Sequence, residues 1–269
     1  MATKPDILYI SHGGGPLPLL GDPAHSELVT QLFSLGKRLH RPSAIIVVSA
    51  HWEAPVATVT SGAQPPLIYD YSGFPPESYE IQYPAPGAPE LATRISQALS
   101  RAGLDAVLDP KRGFDHGLFV PLKLLYPEAD IPCIQLSLLK SLDPTAHIAL
   151  GRALQSLGWD NLLVIGSGFS FHNMKAFFEP VTAQSDARNK AFEDWLTDTL
   201  INPALSETER SGRLADWSAA PEARYCHPRE EHLLPLHVCY GLAQRPADEH
   251  ESIRVLGKRA GMFCWRGSR

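Results

Sequence analysis

The sequence predicts an α/β fold: a single domain over residues 1–269, with a mixed central β-sheet flanked by helices on both faces. Three observations predict it. Short apolar runs rich in Ile and Val recur along the chain, too short and too β-branched to prefer helix. They alternate with helical patterns, two of which open on Asp-Pro, at Asp22-Pro23 and Asp143-Pro144. No internal repeat or low-complexity tract interrupts the alternation.

The elements follow in order. Residues 7–11 read as a buried strand, and a helix starting at Asp22-Pro23 carries Leu28, Leu32, Leu35 and Leu39 at helical spacing. SAIIVVSA, residues 43–50, is the second strand, and VATVTSG from Val56 reads as a strand paired with another. Residues 69–89 are dense in Pro, Gly and Tyr, which predicts a long irregular loop; its aromatic residues suit an ordered cover over a site. A helix from Pro89 places Leu91, Ile95 and Leu99 on one face, and a short strand follows near 104–108. IPCIQLSLL (131–139) and NLLVIGSG (161–168) are further buried strands, with the Asp143-Pro144 helix between them. Residues 191–200 are amphipathic. Residues 206–221 read as polar surface, 230–242 as a helix kinked at Pro235, and 252–265 as a closing strand or hairpin.

Hydrophobic residues make up 44% of the chain and charged residues 20%, the balance of a soluble protein with a real core. The net charge of −5 argues against a nucleic-acid binder, which would present a basic face. No apolar run approaches the roughly 20 residues of a membrane span, and the N-terminus lacks the pattern of a signal peptide. The four cysteines form no CxxC pair and read as buried thiols of a reducing compartment, so the expected location is cytoplasmic.

Several of the 11 histidines share one context, the end of a strand or a turn beside it. His12 ends DILYIS before three glycines, and His51 ends AIIVVSA. His172 follows LLVIGSG, His116 lies in FDHGLFVP, and His227 lies in YCHPREEH, with His232 close enough to take its place. Ligands of open α/β sheets bind beyond the carboxyl ends of the strands, so these imidazoles are expected to converge in one crevice. His25, His40, His147, His237 and His250 lie in helical or polar stretches and read as ordinary surface or core-edge residues. Rival motifs fit poorly. GGGPLPLL has no Lys-Ser/Thr for a phosphate loop, and GSGFSF lacks the third glycine of a dinucleotide fingerprint. Ser167 is out of register with a nucleophile elbow.

SHGGGP, SAHWE, FDHGLFVPL, GSGFSFHN and HPREEHLLPL, in that order over nearly the whole chain, resemble the class III extradiol ring-cleavage dioxygenases, and most of all the 4,5-DOPA dioxygenase branch. The resemblance implies a non-haem iron(II) held by His12, His51 and His227. It makes His172 the acid/base beside the metal, and His116 a hydrogen-bonding partner of substrate or dioxygen. It also implies a small catecholic substrate and O2 as reaction partners. The chain departs from the family's usual pattern at Gly13-Gly14, Phe119 and Phe169, which bear on the pocket lining rather than the histidines.

Three neutral imidazoles on one face leave up to three positions of an octahedral ion open, which suits two diol oxygens and dioxygen. Glu231 is placed to orient a metal-bound imidazole, although it and Glu53 read more simply as solvated residues. Zinc fits the same ligands, so a zinc hydrolase is the rival enzyme class. A non-catalytic binding member of the superfamily is the other rival.

Overall fold

Four parallel strands form the middle of an eight-stranded mixed sheet. The computed structural model describes residues 4–267. The strands are β1 (Asp6–Ser11), β2 (Ala44–Ala54), β3 (Ala57–Thr60), β4 (Ala106–Asp109), β5 (Cys133–Leu139), β6 (Leu162–Gly168), β7 (Glu249–Val255) and β8 (Lys258–Trp265), in spatial order β4-β3-β5-β2-β6-β1-β8-β7. Strands β5, β2, β6 and β1 run parallel, so their carboxyl ends share one edge of the sheet. The hairpin β7–β8 closes one side antiparallel to β1, and β3 pairs antiparallel with β5 on the other. The central strands are buried on both faces, and this is why they read as unbroken apolar runs.

The described helices are α1 (Ser26–Arg38), α2 (Pro89–Arg101), α3 (His116–Leu125), α4 (Pro144–Leu154), α5 (Met174–Phe177), α6 (Ala183–Ile201), α7 (Glu207–Ala215), α8 (Ala223–Cys226) and α9 (Leu234–Ala243). Helix α3 packs on β2 and β6 with α1 beside it, whereas α9 packs on β1, β2 and β6 with α4 beside it. Alternate residues of β6 meet the two layers: Ser167 reaches Gly117 of α3, and the Cα of Gly166 faces Cys239 of α9. The α/β fold with helices on both faces is therefore as the sequence predicts. No helix among the described residues is long and apolar enough to cross a membrane. All four cysteines are free and buried.

Three local expectations are corrected. Pro235 does not kink a helix; it occupies the first turn of α9, where its missing N–H costs nothing. Asp22-Pro23 caps a short 3-10 turn, and α1 begins only at Ser26. Residues 206–221 are not all polar surface, because they contain α7, with Arg210 and Leu214 buried, and a following 3-10 turn with Trp217 buried. The guanidinium of Arg210 donates to the carbonyls of Thr199, Asn202 and Leu205, closing the exposed end of α6.

Candidate functional site

Five histidines gather at the carboxyl ends of the central strands. The rings of His12 and His51 lie 4.7 Å apart between centroids, and their Nε2 atoms are separated by 2.9 Å. His116 flanks the pair, 3.9 Å from His51 and 5.2 Å from His12. His232 flanks it on another side, 4.9 Å from His51 and 5.2 Å from His12, and His172 stacks on His232 at 3.4 Å.

Each ring is carried there by a local device. His12 directly follows β1, and the chain must then turn away at once. Gly13 does this at φ +82°, where a Cβ would also fall 2.6 Å from the ring of Pro18. His25 props the turn by accepting from Gly14 N–H at 3.0 Å, so it is a structural residue. His51 lies in the irregular part of β2, where the register against β5 shifts between Val48 and Glu53. A bulge of this kind re-aims a side chain out of the regular pleat. His116 opens α3, capped by Asp115, whose side chain accepts from Gly117 N–H. His172 is fixed through its backbone N–H, which donates to Cys226 at 2.8 Å.

The turn carrying His232 lies against the end of β6. Its carbonyl accepts from Phe169 N–H at 3.1 Å and from the Tyr9 hydroxyl at 2.9 Å. Gly168 makes this approach possible, since a Cβ there would sit 2.0 Å from the His232 oxygen. The two glycines of GSG thus serve close backbone packing rather than a nucleotide.

His227 is not brought to the cluster, which corrects its expected place beside His12 and His51. Its Nε2–H donates to the Ser170 carbonyl at 2.7 Å, and its ring packs edge-on against Phe192 and Trp217. It braces the backbone of residues 170–172 from behind, and His232 occupies the position beside His12 and His51. Glu53 is also absent from the cluster: it pairs with Arg229 at 2.6 Å.

Hydrogen bonding sets the tautomers. The Ser167 hydroxyl donates to Gly117, so its oxygen accepts from His12 Nδ1–H at 3.0 Å, leaving a lone pair on His12 Nε2. Glu231 Oε1 lies 3.0 Å from Nδ1 of both His172 and His232. Asp70 Oδ1 lies 2.8 Å from Nδ1 of His116, and its other oxygen 3.8 Å from Nδ1 of His51.

Burial first, and then the neighbouring imidazoles, hold His12 and His51 well below the ordinary histidine range. The same two causes push His232 down to about 3, against the opposing pull of Glu231. Burial alone would raise Glu231, but the bonds from His172 and His232 outweigh it and keep the carboxyl ionised. Asp70 is likewise lowered, with the His116 bond overcoming burial.

This donor set fits a divalent ion. Imidazole nitrogens bound at about 2.0–2.1 Å and close to a right angle stand about 2.9 Å apart, the separation of His12 Nε2 and His51 Nε2. His12 and His232 are buried, which favours their neutral forms, and each has its far nitrogen engaged by an oxygen, which is how metal-bound histidines are oriented. Among the described residues two groups of potential ligands are compact: His12, His51 and His116, and His172, Glu231 and His232.

The cover expected from the Tyr-rich loop is ordered over one flank. Tyr71 lies 5.7 Å from His116, edge-on, and also packs on Phe74 and Tyr79. Tyr69 packs on Phe119 of α3. Asp70, between the two tyrosines, is not marked by the sequence, and Ser167 is read there only as a nucleophile out of register, not as a partner of His12. Nothing in a lone Asp within an aromatic loop marks it as a partner of histidines far along the chain.

Comparison with known proteins agrees with this geometry. Residues 8–265 match the family model described as the catalytic LigB subunit of aromatic ring-opening dioxygenase. The chain is 42% identical to dioxygenase tasH of Hapsidospora irregularis, over 97% of this chain and 86% of that protein. It is 39% identical to 4,5-DOPA dioxygenase extradiol of Beta vulgaris (88% and 87% covered) and 39% identical to that of Escherichia coli K12 (97% and 92% covered). A crystal structure of an uncharacterized Escherichia coli K12 protein superposes with a TM-score of 0.76 at 27% identity, covering 98% of this chain and all of that one.

Proposed function

The chain belongs to the LigB family of aromatic ring-opening dioxygenases, and from that premise we propose that it is an iron(II)-dependent extradiol enzyme opening a catechol-type, dihydroxyphenyl ring with O2. The observation that carries this reading is the meeting of buried His12 and half-buried His51 at 2.9 Å, flanked by His116 and His232, with His172 stacked on His232.

His12, His51 and His232 hold the ion through Nε2. When bound, iron(II) supplies adjacent open positions and a redox link between an electron-rich ring and dioxygen. His172, with Nδ1 on Glu231, turns its other nitrogen toward the diol, takes a hydroxyl proton and later returns it. His116, with Nδ1 on Asp70, offers its Nε2 to an oxygen of the substrate or of O2. Tyr71 and its aromatic neighbours exclude water from that flank. The four free thiols suit a reducing compartment, and the location we propose is the cytoplasm.

A specific observation favours a second ligand set. His116 rather than His232 has its ring nearest His51, and its nitrogen gathers with those of His12 and His51 within 4.8 Å. The two are separated by metal content. Anaerobic loading with iron(II), followed by a panel of catechols with DOPA among them, is expected to give O2 uptake and a yellow ring-opened product; zinc loading gives neither. His12→Ala, His51→Ala and His232→Ala lose bound metal, whereas His116→Ala and His172→Ala keep it and lose most turnover. Metal kept by His232→Ala and lost by His116→Ala would move the third ligand to His116. No uptake with any catechol in the fully iron-loaded protein sinks the assignment.

A further inference from the structure

Asp70 stands in an unusual position. It lies in the irregular loop, 46 residues before His116, yet Oδ1 accepts from both the backbone N–H of His116 (3.0 Å) and its ring Nδ1 (2.8 Å). The second oxygen faces Nδ1 of His51 at 3.8 Å. One carboxylate therefore addresses two of the clustered histidines, each on its Nδ1 side.

The loop holds this carboxylate firmly. Ile68 N–H donates to the Phe114 carbonyl and Phe114 N–H to Pro66, each at 2.8 Å, which clamps the chain just before Asp70 to the chain just before His116. The hydroxyls of Tyr69 and Tyr71, on either side of Asp70, donate to Ile81 and Ser78 across the loop. Gly113 makes the clamp possible, because a Cβ there would lie 2.2 Å from the Pro66 oxygen. A side chain that merely capped α3 would need only the bond to the His116 backbone. The ring contact at 2.8 Å does something further, since a neutral imidazole held there is the Nδ1–H tautomer and keeps a lone pair on Nε2.

We propose that Asp70 is a positioning residue of the ring-opening site: it sets the tautomer and ring orientation of His116 and steadies His51, so that the aromatic cover and these two histidines form one mechanical unit. The proposal rests on the dioxygenase reading for its kinetic consequence, but not for its structural one.

The test uses the full chain loaded with zinc, which is diamagnetic, and with iron(II). In the zinc form, 15N-labelled histidine spectra at a single pH, with His116→Gln to assign the signals, are expected to show His116 as Nδ1–H. In Asp70→Asn the His116 signals move away from that pattern. In the iron form of Asp70→Asn, kcat falls by roughly 10- to 100-fold, the usual cost of removing such an outer partner. KM stays within about threefold, because the ring-binding surface is kept, and the thermal midpoint changes by only a few degrees. An unchanged tautomer with near-normal kcat overturns the proposal. So does a loss of kcat that merely tracks lost folded protein, which would make Asp70 a helix cap alone. Should Asp70→Asn fail to fold, the native zinc form decides, since His116 found as Nε2–H there refutes the assignment. If the native iron protein opens no catechol while His116 is Nδ1–H and responds to Asp70→Asn, the functional reading fails and the positioning role stands.

Discussion

Two carboxylates serve the histidine cluster, and they reach it by opposite routes. Glu231 precedes His232 directly, lies in a turn packed under β6, and applies one oxygen to both His172 and His232 at 3.0 Å. Asp70 comes from a surface loop and divides its oxygens between His116 and His51. The Glu231 side chain is 11% exposed and that of Asp70 22%. The difference teaches what each can control. Glu231 shares a turn with a proposed ligand, so its loss is expected to be felt in metal binding. Asp70 arrives with the cover, so its loss is expected to be felt in turnover.

The most severe way to break this contrast is to dislodge the Glu231 side at its backbone. Gly168→Ala places a Cβ against the His232 carbonyl, and such overpacking costs about 2–3 kcal/mol. Thermal denaturation is expected to show a midpoint several degrees lower, with bound metal falling in parallel; an unchanged midpoint would contradict the turn's placement. Next in size, Glu231→Gln should weaken metal binding by roughly 10- to 100-fold in chelator competition. Asp70→Asn should weaken it clearly less, and equal losses would erase the distinction between the two halves.

A third carboxylate sharpens the comparison because its direct side-chain partner is a neutral hydroxyl. Glu193 of α6 is buried against Ser170, and burial pushes it from an ordinary 4.5 up to about 8 despite the bonds from Ser170 and Gly261. The folded state therefore prefers it protonated. That contribution to stability is complete below about 4.5 and is lost as pH rises through about 8. Glu193→Gln should flatten the dependence of the unfolding midpoint on pH across this window, so that the variant gains on the native protein toward pH 8. A parallel shift at every pH would rule out the titration. The smallest effect belongs to Arg229→Ala. Arg229 clasps Glu53 and approaches Glu231, but half of it is in solvent, and such a pair is worth at most about 1 kcal/mol. Urea unfolding should show no more than this.

The alternation of strand and helix was legible because the buried parallel strands, such as residues 43–50, carry branched apolar residues without interruption. Four of the five clustered histidines were chosen for the strand ends and turns they occupy, and His12, His51, His116 and His172 do meet. For the fifth, the sequence favours His227 with His232 as the alternative five residues on, and it is His232 that lies in the cluster. What separates them is the approach of the His232 carbonyl to Gly168, a contact between remote segments that leaves no local pattern. The interior of residues 206–221 is hidden for a similar reason: Arg210 is polar in sequence but spends its donors on carbonyls at the end of α6 and just beyond it. Asp70 shows the limit most clearly, since its meaning lies wholly in the partners the fold brings to it.

The five clustered histidines sit at positions 12, 51, 116, 172 and 232, spread almost from end to end of the polypeptide. No stretch of chain much shorter than the whole contains them, and the pairing of β1 with β6 that joins the outlying parts closes a loop of more than 150 residues. Such closures are slow and come after local structure. On a ribosome, the five-ring cluster cannot be complete until the turn at residue 232 has emerged, so the site is among the last features of the protein to form.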